Sequence, residues 1–205
     1  MTTATKVTIA RIALIPVFIV LFLVDFPYHY LVAGLVYILS AATDSVDGAI
    51  ARKTGTVSKL GKILDPIADK ALSIPAMIIC VAFELFHFNV AFIVMVSLMI
   101  VREIAVSIMR LMALYHGKTL AADALGKIKT IFINIAVPTV VINKQFEQYQ
   151  VFNSVWKWIG SSIFLIAFVL TIWSGINYFV KNKEIIKSFF KDEPQERKTD
   201  ETKDK

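Results

Sequence analysis

Residues 7–24 form a run of eighteen residues broken only by Thr8 and Arg11, and comparably apolar runs recur along the rest of the chain. A run of that length and character crosses the hydrocarbon of a bilayer, and it can do so only as a helix. Backbone N–H and C=O groups in lipid have no water to bond to and must be paired within the segment. The later runs are residues 31–43, continuing as helix to about Lys53, then 61–86, 88–115, a shorter core at 128–142 containing Pro138, and 155–180. With 57% hydrophobic and 19% charged residues over 205 positions, the chain is too apolar for an ordinary soluble domain. The expected fold is therefore all-α: a polytopic integral membrane protein with six transmembrane helices in one domain over residues 1–182. The first run ends Leu23-Val24-Asp25-Phe26-Pro27 with no small-x-small cleavage pattern, so it is expected to be a retained span.

Local signals set the expected breaks. Gly55 supplies a helix stop and residues 56–59 a turn, while residues 84–89 form a short polar break in which His87 is read as an interfacial side chain. Tyr28, Tyr30, Trp156, Trp158, Trp173 and Tyr178 fall near run ends, where aromatic rings anchor at the membrane surface. Residues 183–205 are a charged tail: 183–191 has Ile185, Ile186, Phe189 and Phe190 at amphipathic-helix spacing, and 192–205 is expected to be disordered.

The formal charge is +6, but the Lys and Arg residues sit at the mouths of apolar runs and form no basic face, so nucleic acid is excluded as a partner. Among loops following the first, third and fifth runs, only Lys144 and Lys157 are basic. The positive-inside rule then puts both termini in the cytoplasm. Cys80, the single cysteine, lies inside an apolar run and is read as a small buried hydrophobe.

Four carboxylates interrupt this apolar pattern within one short window: Asp44, Asp47, Asp65 and Asp69. Ionisable groups beside lipid mark a site. Asp44 and Asp47 are three residues apart and Asp65 and Asp69 four apart, so on helices each pair projects from one face. Two neighbouring helices could aim all four at one point, where they would repel each other unless a hard cation neutralised them. With no His or Cys in the window, Mg²⁺ or Mn²⁺ is favoured over Zn²⁺, and two ions would balance four carboxylates. Gly48, Ala51 and Gly61 would let a phosphate approach the backbone, and Arg52 would meet a diphosphate oxygen, although small residues also serve simply to pack membrane helices.

The spacing Asp44-x-x-Asp47-Gly48-x-x-Ala51-Arg52, eight residues, Gly61-x-x-x-Asp65-x-x-x-Asp69 resembles the signature of the CDP-alcohol phosphotransferases at every defined position. The resemblance implies a six-span membrane enzyme, usually a homodimer, that uses divalent metal to displace CMP from a CDP-linked lipid by an alcohol. It further implies that Asp44, Asp47 and Asp65 are metal ligands and that Asp69 is a metal-site residue acting as general base. Asp44, Gly48, Ala51, Arg52 and Gly61 would line the CDP site. The stretch Thr8 to Pro16, Arg102-Glu103, Arg110 and Gly126-Lys127-Ile128-Lys129-Thr130 resemble bacterial members that take glycerol 3-phosphate as acceptor. The expected substrates are then CDP-diacylglycerol and glycerol 3-phosphate, and the expected location is the bacterial inner membrane, with the active site facing the cytoplasm. Arg110, Lys127 and Lys129 would supply cations for the dianionic acceptor, although the lysines could instead snorkel to lipid headgroups, and Arg102 could pair structurally with Glu103 or Asp123. Inositol phosphate, serine or phosphatidylglycerol are the alternative acceptors within this chemistry, and a divalent-cation transporter is the alternative outside it.

Overall fold

The computed structural model describes the backbone at residues 3–54, 59–115, 124–183 and 186, and side chains at 10–43, 70–113, 126, 128–183 and 186. Every regular element among the described residues is helical: α1 (Thr3–Leu23), α2 (His29–Thr54), α3 (Lys59–Ala82), α4 (Asn89–Tyr115), α5 (Ala124–Lys144) and α6 (Gln150–Lys181). These are the six expected segments in the expected order. Two are long and apolar enough to cross a membrane on their own, α4 over Asn89–Ala113 and α6 over Gln150–Lys181. Ala10–Leu23, His29–Thr43 and Lys70–Ala82 are shorter apolar stretches. Beyond residue 183 only Ile186 is described, and residues 55–58, which include most of the stretch expected to turn, and 116–123 lie outside the described residues.

Two boundaries differ from expectation for local reasons. The third helix stops at Ala82 rather than Phe86 because Glu84 turns left-handed at φ 53°. The Leu85 amide then donates to the Cys80 carbonyl at 2.9 Å and the Glu84 amide to Val81 at 3.2 Å, which is the double closure of a Schellman cap. Leu85, brought back by that cap, is buried. The fifth helix, Ala124–Lys144, contains the expected core at 128–142. The sixth starts at Gln150 because the turn is clamped: Asn143 Nδ2 donates to the Asn153 carbonyl at 3.1 Å and to its Oδ1 at 2.7 Å.

The helices run alternately up and down. The widest contacts are α5 on α6 and α1 on α2, while α2 also packs on α5, and α1 and α4 on α3. Phe18, Phe22, Tyr37, Met77, Met99, Val137, Val140 and Phe164 fill the core. The Tyr37 hydroxyl donates across the α2–α5 contact to Asn134 Oδ1 at 3.1 Å. Phe86 stacks on Phe92 with ring centroids 4.5 Å apart and tilts against Phe164 at 4.8 Å, closing the end where α3 turns into α4. Cys80 is buried there as a small hydrophobe.

The exterior is as apolar as the interior. Leu39, Val101, Val169, Trp173 and Ile176 are exposed, whereas Glu103, Lys129, Thr171, Ser174 and Asn182 are buried. A soluble chain rarely leaves so much contiguous apolar surface uncovered, and the pattern is the one that suits lipid outside and polar contacts between helices. Of the aromatic residues read as surface anchors, Trp156, Trp158, Trp173 and Tyr28 are exposed; Tyr178 is 2% exposed and belongs to the interior instead. Its ring turns inward because α4 and α6 pack against each other at that level.

Close helix approach depends on small residues. A Cβ on Gly160 would clash with Cγ1 of Val140 across the α5–α6 interface, and the β-branched valine has little rotamer freedom with which to yield. Gly160→Ala is expected to lower stability by about 1–3 kcal/mol through overpacking. Thermal unfolding of purified protein checks this, and Val140→Ala should cost less in the Gly160→Ala background than alone.

Candidate active site

Alternation of the helices gathers the charged residues at one end of the bundle. Asp44, Asp47, Gly48, Ala51 and Arg52 lie in the second half of α2, and Gly61, Asp65 and Asp69 in the first half of α3. Both aspartate pairs are therefore on helices, and the two helices are consecutive in the chain. The side chains of these eight residues and of Lys127 lie outside the described residues, so the aim of the carboxylates remains an expectation. The donor set itself consists of oxygen atoms only, which fits Mg²⁺ or Mn²⁺.

One step from Asp69, the described side chains begin with a buried ionic cluster. Glu103 of α4 is 4% exposed. Lys70 reaches its Oε2 from α3 at 2.5 Å, Arg102 reaches Oε1 at 2.9 Å, and Lys129 bonds the same Oε1 from α5. Arg102 Nη2 also donates to Ser174 Oγ of α6 at 2.9 Å. Arg102 lies flat on α6 because Gly175 has no side chain: a Cβ there would stand 2.9 Å from Arg102 Nε and 3.0 Å from Cγ. Three helices are thus tied at one carboxylate, and Arg102 extends the tie to a fourth. Three cations meet on one buried carboxylate among the described residues.

The structure distributes the three expected acceptor cations unequally. Arg110 is exposed near the end of α4. Lys127 lies in the first turn of α5. Lys129 is buried against Glu103, so neither snorkelling nor an open position describes it. Of the two structural pairings considered for Arg102, the one with Glu103 is present.

Lys70 and Ser174 belong to no motif in the sequence, and Arg11, which is buried, falls only within the stretch Thr8 to Pro16. Glu103 was noticed only as part of a motif. The available signal was a charge or hydroxyl at an otherwise apolar position; at Ser174 even that signal is indistinguishable from ordinary helix packing. At the opposite end of the bundle, Ile38, Ile135, Pro138, Ile142, Phe152 and Trp156 line an apolar cleft of about 480 Å³. Its lining includes Ile38, six residues before Asp44 on α2, but no titratable residue, so it is not the candidate site.

Residues 1–173 match the CDP-alcohol phosphatidyltransferase family, and the chain belongs to that family. Among its relatives, the CDP-diacylglycerol–glycerol-3-phosphate 3-phosphatidyltransferase of Bacillus subtilis (strain 168) is 39% identical over 197 residues, covering 89% of this chain and 96% of the relative. Enzymes of the same name from Salmonella paratyphi A and Shigella flexneri are 31% and 30% identical over 178 residues, each covering 85% of this chain and 91% of the relative.

Ser174→Ala removes an acceptor from the Arg102 guanidinium while leaving every charge in place. A loss of about 1–2 kcal/mol is expected, in line with hydrogen bonds to charged groups. Chemical unfolding in detergent measures it, and an unchanged midpoint would mean that the α4–α6 tie contributes nothing.

Proposed function

We propose that the chain is a phosphatidylglycerophosphate synthase, transferring the phosphatidyl group of CDP-diacylglycerol to glycerol 3-phosphate and releasing CMP. The observation that carries this is the four-aspartate spacing, on two consecutive helices beside a cationic cluster, in a chain whose relatives bear that enzyme name. The protein is proposed to span the bacterial cytoplasmic membrane six times as a homodimer, with both termini and the aspartates at the cytoplasmic rim. Support comes from the six helices, the apolar exterior and the bias of basic residues.

In this reaction Asp44, Asp47, Asp65 and Asp69 would hold Mg²⁺ or Mn²⁺, two ions per site. The bound cations would supply Lewis-acid charge to the diphosphate and to the departing CMP. Gly48, Ala51 and Gly61 leave room for the nucleotide diphosphate against the α2 and α3 backbones, and Arg52 and Asp44 line the same space. Asp69 takes the proton from the primary hydroxyl of glycerol 3-phosphate. That oxygen attacks the lipid-side phosphorus in line, the bond from this phosphorus to the CMP oxygen breaks, and CMP leaves with the electron pair. Arg110 and Lys127 meet the acceptor's phosphate, with Lys129 adding its charge from behind through the Glu103 cluster.

Purified protein supplied with CDP-diacylglycerol, Mg²⁺ and a panel of acceptors tests the assignment. Phosphatidylglycerophosphate should form with glycerol 3-phosphate, identified by mass, while inositol phosphate, serine and phosphatidylglycerol yield none. A product on another acceptor alone would reassign the substrate; metal flux in liposomes with no CMP would overturn the chemistry. Asp69→Asn should abolish CMP release. Arg110→Gln and Lys127→Gln should each raise KM for glycerol 3-phosphate by about tenfold, the loss of one charge-assisted contact, and leave that for CDP-diacylglycerol nearly unchanged.

A further inference from the structure

Neither the aspartate signature nor the acceptor cations account for Glu103, yet it is the described carboxylate on which three cations converge. Its partners come from the helices that carry the proposed chemistry. Lys70 follows Asp69 directly on α3, and Lys129 lies two residues beyond Lys127 on α5. Arg102 joins the group from α4 and is held on α6 by Ser174 and by the space over Gly175. The carboxylate therefore sets the distance between the helix of the general base and the helix of the acceptor cations.

Helix packing alone does not require such an arrangement. A buried ionic group gives up several kcal/mol of hydration per ion, and an apolar replacement of similar volume often holds a fold as well or better. What an apolar contact lacks is direction. Two hydrogen-bonded lysines on opposite sides of one carboxylate fix both the spacing and the rotation of their helices. Phosphoryl displacement depends on such alignment, because the attacking oxygen, the phosphorus and the leaving oxygen must be in line.

We propose that Glu103 is a positioning residue for phosphatidyl transfer, holding Lys70 and Lys129 on one carboxylate so that the Asp69 end of α3 and the acceptor-binding end of α5 keep a productive separation. The role rests on the reaction assigned above. It does not place Glu103 in contact with substrate or metal.

The test compares wild type, Glu103→Gln and Glu103→Asp as full-length purified proteins, with initial rates measured over both substrates and the melting temperature recorded for each sample. Glu103→Gln keeps the shape but loses the charge that organises the lysines. It should lower kcat by about 100-fold, as a displacement on the order of 1 Å at the reacting atoms does, with KM for CDP-diacylglycerol changed by less than about threefold. Glu103→Asp should recover about tenfold of that loss, because a carboxylate is present again on a shorter arm. If Glu103→Gln does not accumulate as folded protein, Gly175→Ala displaces Arg102 with all charges kept and should show the same kcat-selective loss. The proposal is overturned if folded Glu103→Gln or Gly175→Ala keeps wild-type kcat, or if activity falls only in proportion to the unfolded fraction. It is also overturned if Glu103→Asp is no better than Glu103→Gln. Failure of the wild type to make product on glycerol 3-phosphate would instead remove the assigned reaction.

Discussion

A carboxylate buried among three cations, where four helices meet, is the interaction on which the charged end of this molecule depends. In lipid there is little hydrophobic drive to bring one apolar helix against another, so helix association relies on close packing and on polar contacts between helices. Glu103 provides the polar contacts for α3, α4 and α5, and Arg102 extends them to α6. Ions buried in this way are not obvious stabilisers, because their desolvation offsets much of their attraction. Their value lies in geometry, which a site handling a diphosphate and a second phosphate requires more than an inert bundle does.

The two ends of the bundle are held by different means. Toward the turns before α2, α4 and α6, aromatic stacking of Phe86, Phe92 and Phe164 and the Asn143–Asn153 clamp close the structure. Tight approaches are possible because Gly34 faces Ile142 and Gly160 faces Val140. Toward the opposite end, charged residues replace aromatics, and the aspartate-bearing halves of α2 and α3 lie there beside the cation cluster. Dense packing at one end leaves the charged end free to be organised by electrostatics, which can accommodate an anionic ligand.

Much of this was legible in the sequence, for physical reasons. Six apolar runs could be nothing but helices in lipid, and their order and approximate limits are those observed. Asp44, Asp47, Asp65 and Asp69 were legible because a carboxylate beside apolar runs has no cheap structural use. Helix ends were less so: the left-handed Glu84 cap has no sequence signal of the kind a glycine gives. Tyr178 looked like a surface aromatic because position along a helix says nothing of which face it occupies, and α4 covers that face. The partners of Glu103 were hidden for the same reason. Lys70 and Lys129 reach it from two other helices and Ser174 holds Arg102 from a third, and no spacing within one segment reveals that they converge.

In the proposed reaction the hydroxyl of glycerol 3-phosphate attacks the lipid-side phosphorus at the aspartate-bearing helices and expels CMP. Glycerol 3-phosphate carrying ¹⁸O in its primary hydroxyl, incubated with purified protein, CDP-diacylglycerol and Mg²⁺, tests it most directly by mass analysis of both products. The account predicts phosphatidylglycerophosphate that retains the label in its bridging phosphodiester oxygen and CMP that contains none. Label in CMP, or a lipid product without it, would contradict the account.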